Sequence, residues 1–187
     1  MRAPVSWCVL AFVATATLAG CAPYALVEPS RRSIADAYTV DPQIQWTSFK
    51  RDKIELWTVD GFVLHNVRFF QAIGDGEPLL PSTGDTKEPR ASYRKSMTTT
   101  EIAELVLDTL YGRSTPENLR PAKFGEAAGF RFETSWTNKD GVKLKSMVAG
   151  AVLKNRLHLI AYDAVAIHYF AKYRPHVERV IESVRLQ

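Results

Sequence analysis

The last third of the chain alternates bulky apolar with polar side chains, and this two-residue period constrains the fold more than any other feature. Phe130, Phe132 and Trp136 lie even numbers of positions apart and so share one face of an extended chain. This spacing is typical of a β-strand with one buried face. Two turn signals and two further apolar runs follow in the order 138–141, 142–153, 154–156 and 157–162. The pattern predicts a β-meander of three antiparallel strands.

Large apolar residues are also frequent earlier in the chain. They recur between Trp46 and Trp57, and an Asp60-Gly61 pair then provides a turn signal. From Phe62 to Phe70 both alternating sets contain bulky apolar groups, which predicts a strand covered on both faces, at least in part. The stretch from Gly74 to Arg94 is rich in glycine and proline and predicts a long loop, which is a type of segment that is often mobile or functional.

Two segments have the period of an amphipathic helix. Thr98 and Glu101 match the capping-box spacing, and Gly112 follows at the position of a C-terminal glycine, so we expect a helix from 98 to 111. The closing segment carries an apolar stripe that ends at Val184, and we expect Pro175 in the first turn of that helix.

Several antiparallel strands with helices at two places predict an α+β fold, in which two amphipathic helices pack against an antiparallel meander. A hydrophobic content of 46% in 187 residues is enough for a folded core. We expect one α+β domain over residues 41–187.

The C-terminal part is similar to the ending of PsbP-like domains. The resemblance covers Phe124 to Arg185, and the segments that carry it are Gly129–Phe132, Asp140-Gly141, Arg156–Tyr162 and Ile181–Arg185. It implies an α/β/α sandwich around an antiparallel sheet. It also implies accessory, protein-binding or assembly roles more often than catalysis.

The first 20 residues have the pattern of a secretory signal peptide. Arg2 is followed by an apolar run from Trp7 to Leu18, which is shorter than the ~20 residues needed to span a bilayer. Leu18-Ala19-Gly20-Cys21 resembles the lipobox of bacterial lipoproteins. The alternative is an ordinary secretory signal that is cleaved near Ala14-Thr15-Ala16, which leaves a hydrophobic stub and a free Cys21.

The lipobox resemblance implies a diacylglycerol thioether on Cys21, cleavage before this residue and acylation of its new amine. We therefore expect a signal peptide over 1–20 and a lipidated, flexible tether over 21–40. The residue directly after Cys21 is Ala22. An aspartate at this position would resemble an inner-membrane retention signal. This favours the outer membrane, with the domain facing the periplasm.

Cysteine content and net charge limit the chemistry of the mature chain. Cys8 leaves with the signal peptide and Cys21 is consumed by lipidation, so no disulfide, thiolate metal site or cysteine nucleophile is expected. The formal net charge of +4 suits a surface near anionic lipids or polymers but is too small to indicate nucleic-acid binding.

No catalytic, metal or cofactor motif is evident. The four histidines do not have the His-Glu-x-x-His spacing, and Gly74-x-Gly76 does not open a helix as a dinucleotide fingerprint does. Ser146, His158 and Asp163 contain the groups of a hydrolase triad, but no Gly-x-Ser-x-Gly elbow accompanies them. We predict no catalytic residues, no metal and no cofactor.

Basic and aromatic residues mark a possible binding surface. Its members are Arg90, Arg94, Lys143, Lys145, Arg156, Tyr162 and Tyr169. The preferred hypothesis is a membrane-anchored, non-catalytic binding or assembly module with an envelope protein or polymer as partner. One alternative is an envelope hydrolase acting on glycan, peptidoglycan or lipid around His65 or His158. The other is a carrier of a small hydrophobic ligand between helix and sheet.

Overall fold

The computed structural model describes residues 24–81, 90–112 and 114–187. The predicted signal peptide and Cys21 lie outside these ranges, as does the middle of the Gly74–Arg94 segment. The elements in chain order are β1 (Tyr24–Val27), β2 (Arg32–Ile34), β3 (Tyr38–Val40), β4 (Trp46–Arg51), β5 (Ile54–Thr58), β6 (His65–Ile73), α1 (Thr99–Leu110), β7 (Glu117–Phe124), β8 (Ala127–Thr137), β9 (Lys143–Leu153), β10 (Arg156–Val165), α2 (Tyr169–Glu182) and β11 (Arg185–Leu186).

The strands form two antiparallel sheets. The large sheet has eight strands in the order β1-β4-β5-β6-β10-β9-β8-β7, and the small sheet has the order β11-β3-β2. The predicted meander is confirmed, since Phe132 lies opposite Val148 and Val148 lies opposite Ala161. The β9–β10 connection has φ angles of 48° at Lys154 and 60° at Asn155, as a two-residue type I′ hairpin requires.

Helix α1 forms where the capping box predicts it. The Thr98 side chain accepts a hydrogen bond from the Glu101 N–H, and Glu101 Oε2 accepts one from the Thr98 N–H at 2.7 Å. Helix α2 begins at Tyr169, so the prediction of Pro175 in its first turn is wrong. Phe170 and Tyr173 are buried and extend the apolar stripe upstream of the proline.

The large sheet has a core cluster on each face. On one face, α2 packs on Trp57, Phe69 and Ile160 together with residues of the small sheet. On the other face, α1 packs on Phe70 and Phe132. Leu79 and Tyr93, which lie between β6 and α1, are buried in the same cluster. The α2 face is therefore covered by a helix and the small sheet, and the α1 face by a helix and the chain between β6 and α1.

The predicted α+β class, with its PsbP-like α/β/α sandwich, is wrong. The described residues contain eleven strands and two helices, in an eight-stranded and a three-stranded sheet. The α2 face is covered partly by a second sheet, which contributes the fully buried Ile34, Tyr38 and Val40. The fold is mainly antiparallel β, because short strands supply core residues that helices were expected to supply.

The expected tether over 21–40 does not extend into the described residues. From Tyr24 onward this segment forms β1, β2 and β3, and β1 pairs with β4. Val27 is 1% exposed. The folded domain therefore begins no later than Tyr24, three residues after Cys21. Where the chain is described, neither helix has the length and apolar content to cross a membrane.

Candidate functional site

A cleft of about 410 Å³ opens at the end of the large sheet where β6 ends and the β9–β10 turn begins. We call it the bulge cleft. The β2–β3 turn, the β9–β10 turn and the last two residues of the chain form its walls. Its lining residues are Ala35, Asp36, Ala37, Ala72, Val152, Leu153, Lys154, Arg156, His158, Leu186 and Gln187.

A β-bulge in β6 shapes the floor of this cleft. Leu157 of β10 pairs with Ile73, whereas Leu159 pairs with Phe70, so β6 carries one extra residue here. Ala72 adopts a φ of 51°, which is costly for alanine. Its N–H donates to His158 Nδ1 at 3.3 Å, and its carbonyl accepts from Arg156 Nη1 at 3.2 Å. Two side chains thus satisfy the backbone groups that the bulge removes from the ladder.

His158 is neutral at physiological pH. The residue is 2% exposed. Burial, aided by the neighbouring Arg156 guanidinium, lowers the pKa of His158 from 6.5 to about 4. Because Nδ1 accepts from the Ala72 N–H, the ring proton belongs on Nε2. The ring packs edge-on against Tyr38 at a centroid distance of 5.8 Å, which fixes its orientation.

The backbone around the bulge cleft is unusually constrained. Ala35, Asp36, Ala72 and Lys154 all line it with φ angles between 48° and 52°. Non-glycine residues seldom occupy this left-handed region, and strain of this kind is retained where surrounding structure enforces it. The cleft is therefore bordered by tight turns and a bulge, which hold its shape before any ligand arrives.

The lining combines apolar and cationic groups. Lys154 and Arg156 are exposed at the rim, and Asp36 is the acidic side chain opposite them. Leu186 is 36% exposed, so apolar surface is open to solvent beside these cations. This arrangement suits a group that carries a negative charge next to an apolar part.

The residues of the predicted binding surface fall into separate places. Arg156 lines the bulge cleft, and the Arg94 guanidinium lies over Gly76 in the turn after β6. Arg90 Nη1 donates to the Pro81 carbonyl at 2.6 Å. The remaining members lie elsewhere.

Lys143 and Lys145 are at the opposite end of the sheet, where β9 begins. Tyr162 is fully buried and donates to the Tyr169 carbonyl at 2.9 Å, while Tyr169 itself begins α2. The seven residues therefore do not form one surface.

The groups of the considered triad do not assemble. Ser146 Oγ donates to Asp163 Oδ1 at 2.6 Å, and Asp163 Oδ2 pairs with Arg68 at 2.5 Å. His158 precedes Asp163 by five positions on β10 and points to the α2 face, whereas Asp163 points to the α1 face. Ser146 and Asp163 thus belong to a buried ion-pair cluster without an imidazole.

His65 does not meet His158 either. His65 pairs with Ala164 at the far end of the β6–β10 ladder. Its ring stacks on Tyr173 at 4.0 Å, and its Nε2 accepts from the N–H groups of Val59 and Asp60 at 3.2 Å. The hydrolase arrangement in which these two imidazoles converge is therefore absent from the described residues. Within the same residues, no group of three or more potential metal ligands was found.

Sequence reasoning named Arg156 as a binding residue and His158 as a possible catalytic residue, but it did not place the two together in a cleft. Ala35 and Ala72 carry no chemical signal, and Val152 and Leu186 read as ordinary strand residues. The one available signal was the Lys154-Asn155 turn, which places Arg156 and His158 at the start of β10. The bulge itself depends on pairing between strands more than 80 positions apart in the chain.

Comparison with known proteins gives a weak structural likeness. No family model matches the chain, and no curated protein matches it. Among solved structures, the chain is similar to LpqN, described as involved in cell envelope biogenesis of Mycobacterium tuberculosis, with 9% identity and a TM-score of 0.41. The match covers 89% of this chain and 79% of LpqN. A likeness at this level does not identify a family or a function.

Proposed function

We propose that this chain is a lipid-anchored protein of the bacterial cell envelope and binds a partner in the bulge cleft without catalysing a reaction. The lipobox at Leu18–Cys21 supports the anchor. The bulge cleft is the observation that carries the binding role, because it combines a preformed shape, exposed apolar lining and two cations.

The partner that suits this cleft is an acidic segment of an envelope protein with an apolar side chain next to its carboxylate. Lys154 and Arg156 offer donors for the carboxylate, and Leu186 offers contact for the apolar group. His158 lines the cleft as a neutral ring held by the Ala72 N–H. The bacterial outer membrane is the proposed site of the anchor, with the domain on the periplasmic side.

The anchor is tested by Cys21→Ser in the host cell. Two or three acyl chains make dissociation very slow, whereas one chain binds only marginally. We expect the wild-type protein in the detergent phase after phase separation and the variant in the aqueous phase. Detergent partitioning that the variant leaves unchanged would contradict the anchor.

Binding is tested by photocrosslinking in intact cells from two exposed apolar positions. Leu186 lines the bulge cleft and is 36% exposed, whereas Val142 is 38% exposed in the β8–β9 turn at the other end of the sheet. A photoreactive residue at Leu186 should give a discrete adduct that a residue at Val142 does not give. The same adduct from both positions, or none from Leu186, would exclude the bulge cleft as the recognition site.

A further inference from the structure

An apolar patch lies where the described chain begins, on the face of the large sheet that carries α1. We call it the β1 patch, and its members are Tyr24, Leu26, Phe49, Phe62 and Val63. Tyr24 is 55%, Leu26 is 59% and Val63 is 86% exposed. The three aromatic rings form one group, with centroid distances of 5.7 Å, 6.1 Å and 6.5 Å between them.

The β1 patch is on the opposite side of the sheet from the bulge cleft. Tyr24 pairs with Phe49. Trp46 packs in the cluster of the α2 face, so Phe49, three residues further along β4, points to the α1 face. Helix α1 packs on the central strands and leaves Tyr24 and Leu26 on the edge strand open to solvent.

The position of the anchor limits what can cover this patch. Tyr24 is three residues from Cys21, and three residues span at most about 11 Å when fully extended. An acylated Cys21 lies at the bilayer surface. The start of β1 must then stay within that distance of the lipid headgroups, which places the β1 patch next to the membrane.

We infer that the β1 patch rests on the lipid bilayer and orients the domain with the bulge cleft facing away from the membrane. This inference rests on the proposed lipid anchor at Cys21. Tyr24 has the amphipathic ring that favours the membrane interface, and Leu26 and Val63 supply apolar side chains that insert at the boundary. Arg51, which follows Phe49 by two residues, is exposed and can meet lipid phosphates.

The inference is tested with single-cysteine variants of the lipidated protein in vesicles of phosphatidylcholine and phosphatidylglycerol. The mature chain has no other free thiol, so an introduced cysteine accepts one environment-sensitive fluorophore. Val63→Cys carries the probe in the patch. Lys154→Cys is the control, because Lys154 is exposed in the β9–β10 turn at the rim of the bulge cleft.

We expect the probe at Val63 to shift its emission to the blue on reconstitution and to lose at least half of its intensity to brominated lipids. The probe at Lys154 should keep its emission in water. Equal quenching at both positions, or none at Val63, would overturn the orientation and favour a protein cover for the patch. Vesicle flotation separates the two claims, since loss of flotation overturns the anchor and the orientation with it, whereas flotation with an unquenched Val63 probe overturns the orientation alone.

Discussion

The two ends of the β6–β10 ladder each carry a buried histidine, but the two rings have different surroundings. His65 is 1% exposed and His158 is 2% exposed. Each accepts hydrogen bonds from backbone N–H groups, and burial lowers the pKa of each to about 4. His65 is enclosed by the rings of Trp46, Tyr169 and Tyr173. His158 instead forms part of the wall of an open cleft.

The difference shows that burial and a lowered pKa do not by themselves mark a functional histidine. At the His65 end the ladder is regular, and Asp60 ties the β5–β6 turn to α2 through Lys172 at 2.8 Å and Tyr173 at 2.7 Å. At the His158 end a bulge and tight turns hold backbone in strained conformations around a cleft. We therefore expect the first end to serve stability, and the recognition that we propose belongs to the second.

The largest expected effect comes from removing the enclosed ring. His65→Ala should lower the free energy of unfolding by about 3 kcal/mol, because it leaves a cavity among three aromatic rings. His158→Ala should cost about 1 kcal/mol, mainly for the Ala72 N–H that loses its acceptor. Urea denaturation measures both, and equal losses would remove the proposed difference between the two ends.

The pH dependence of stability is the next largest effect. Between pH 6.5 and about 4 the unfolded state binds protons that both folded imidazoles exclude. The free energy of unfolding therefore falls as the pH is lowered through this window, by up to about 1.4 kcal/mol per pH unit for each histidine.

The variants His65→Gln and His158→Gln show how much each histidine contributes to the pH dependence of the free energy of unfolding. Each should remove its own share of the pH dependence above pH 5.5, and the double variant should keep only the share of His176, whose pKa burial also lowers. Lowered carboxyl pKa values, such as that of Asp60 beside Lys172, add to the slope mainly below about pH 5. A double variant with the slope of the wild type would contradict the assignment.

The bulge provides a test in which the two ends respond with opposite signs. Ala72→Gly should raise the free energy of unfolding by about 1 kcal/mol, because glycine accepts the φ of 51° without strain. Ala164→Gly, at the regular pair with His65, should lower it by a similar amount. Thermal unfolding of the two variants gives the signs, and destabilisation by both would show that the bulge is not strained.

The smallest expected effect on stability is that of the rim cation. Arg156 is exposed, so Arg156→Gln should change the free energy of unfolding by less than about 0.5 kcal/mol. Urea denaturation of this variant beside Lys145→Gln, another exposed cation, checks the value. A loss above 1 kcal/mol would mean that Arg156 mainly supports the bulge through the Ala72 carbonyl.

Local patterns predicted the local elements well. The alternation from Phe130 to Trp136, the Lys154-Asn155 turn and the Thr98–Glu101 capping box all correspond to observed structure. Each depends on residues close in sequence, where strand period, turn conformation and helix capping are set by the side chains present.

The fold class and the cleft could not be predicted from the sequence, because both depend on pairing between strands that are far apart in the chain. β2, β3 and β11 have two or three residues each, too few for a visible period, yet they cover part of the α2 face. Ala72 becomes left-handed only because β10 pairs with β6 out of register around His158. Such features follow from tertiary packing, which overrides local preference.

The central claim is that recognition takes place in the bulge cleft, and the yield of the Leu186 photocrosslink tests it most directly. That yield is measured in intact cells for the otherwise unchanged protein and for the variants Arg156→Gln and Lys145→Gln. We predict at least a fivefold loss with Arg156→Gln and an unchanged yield with Lys145→Gln, whose side chain lies at the other end of the sheet. A yield that Arg156→Gln leaves unchanged, or that both variants reduce equally, would contradict the account.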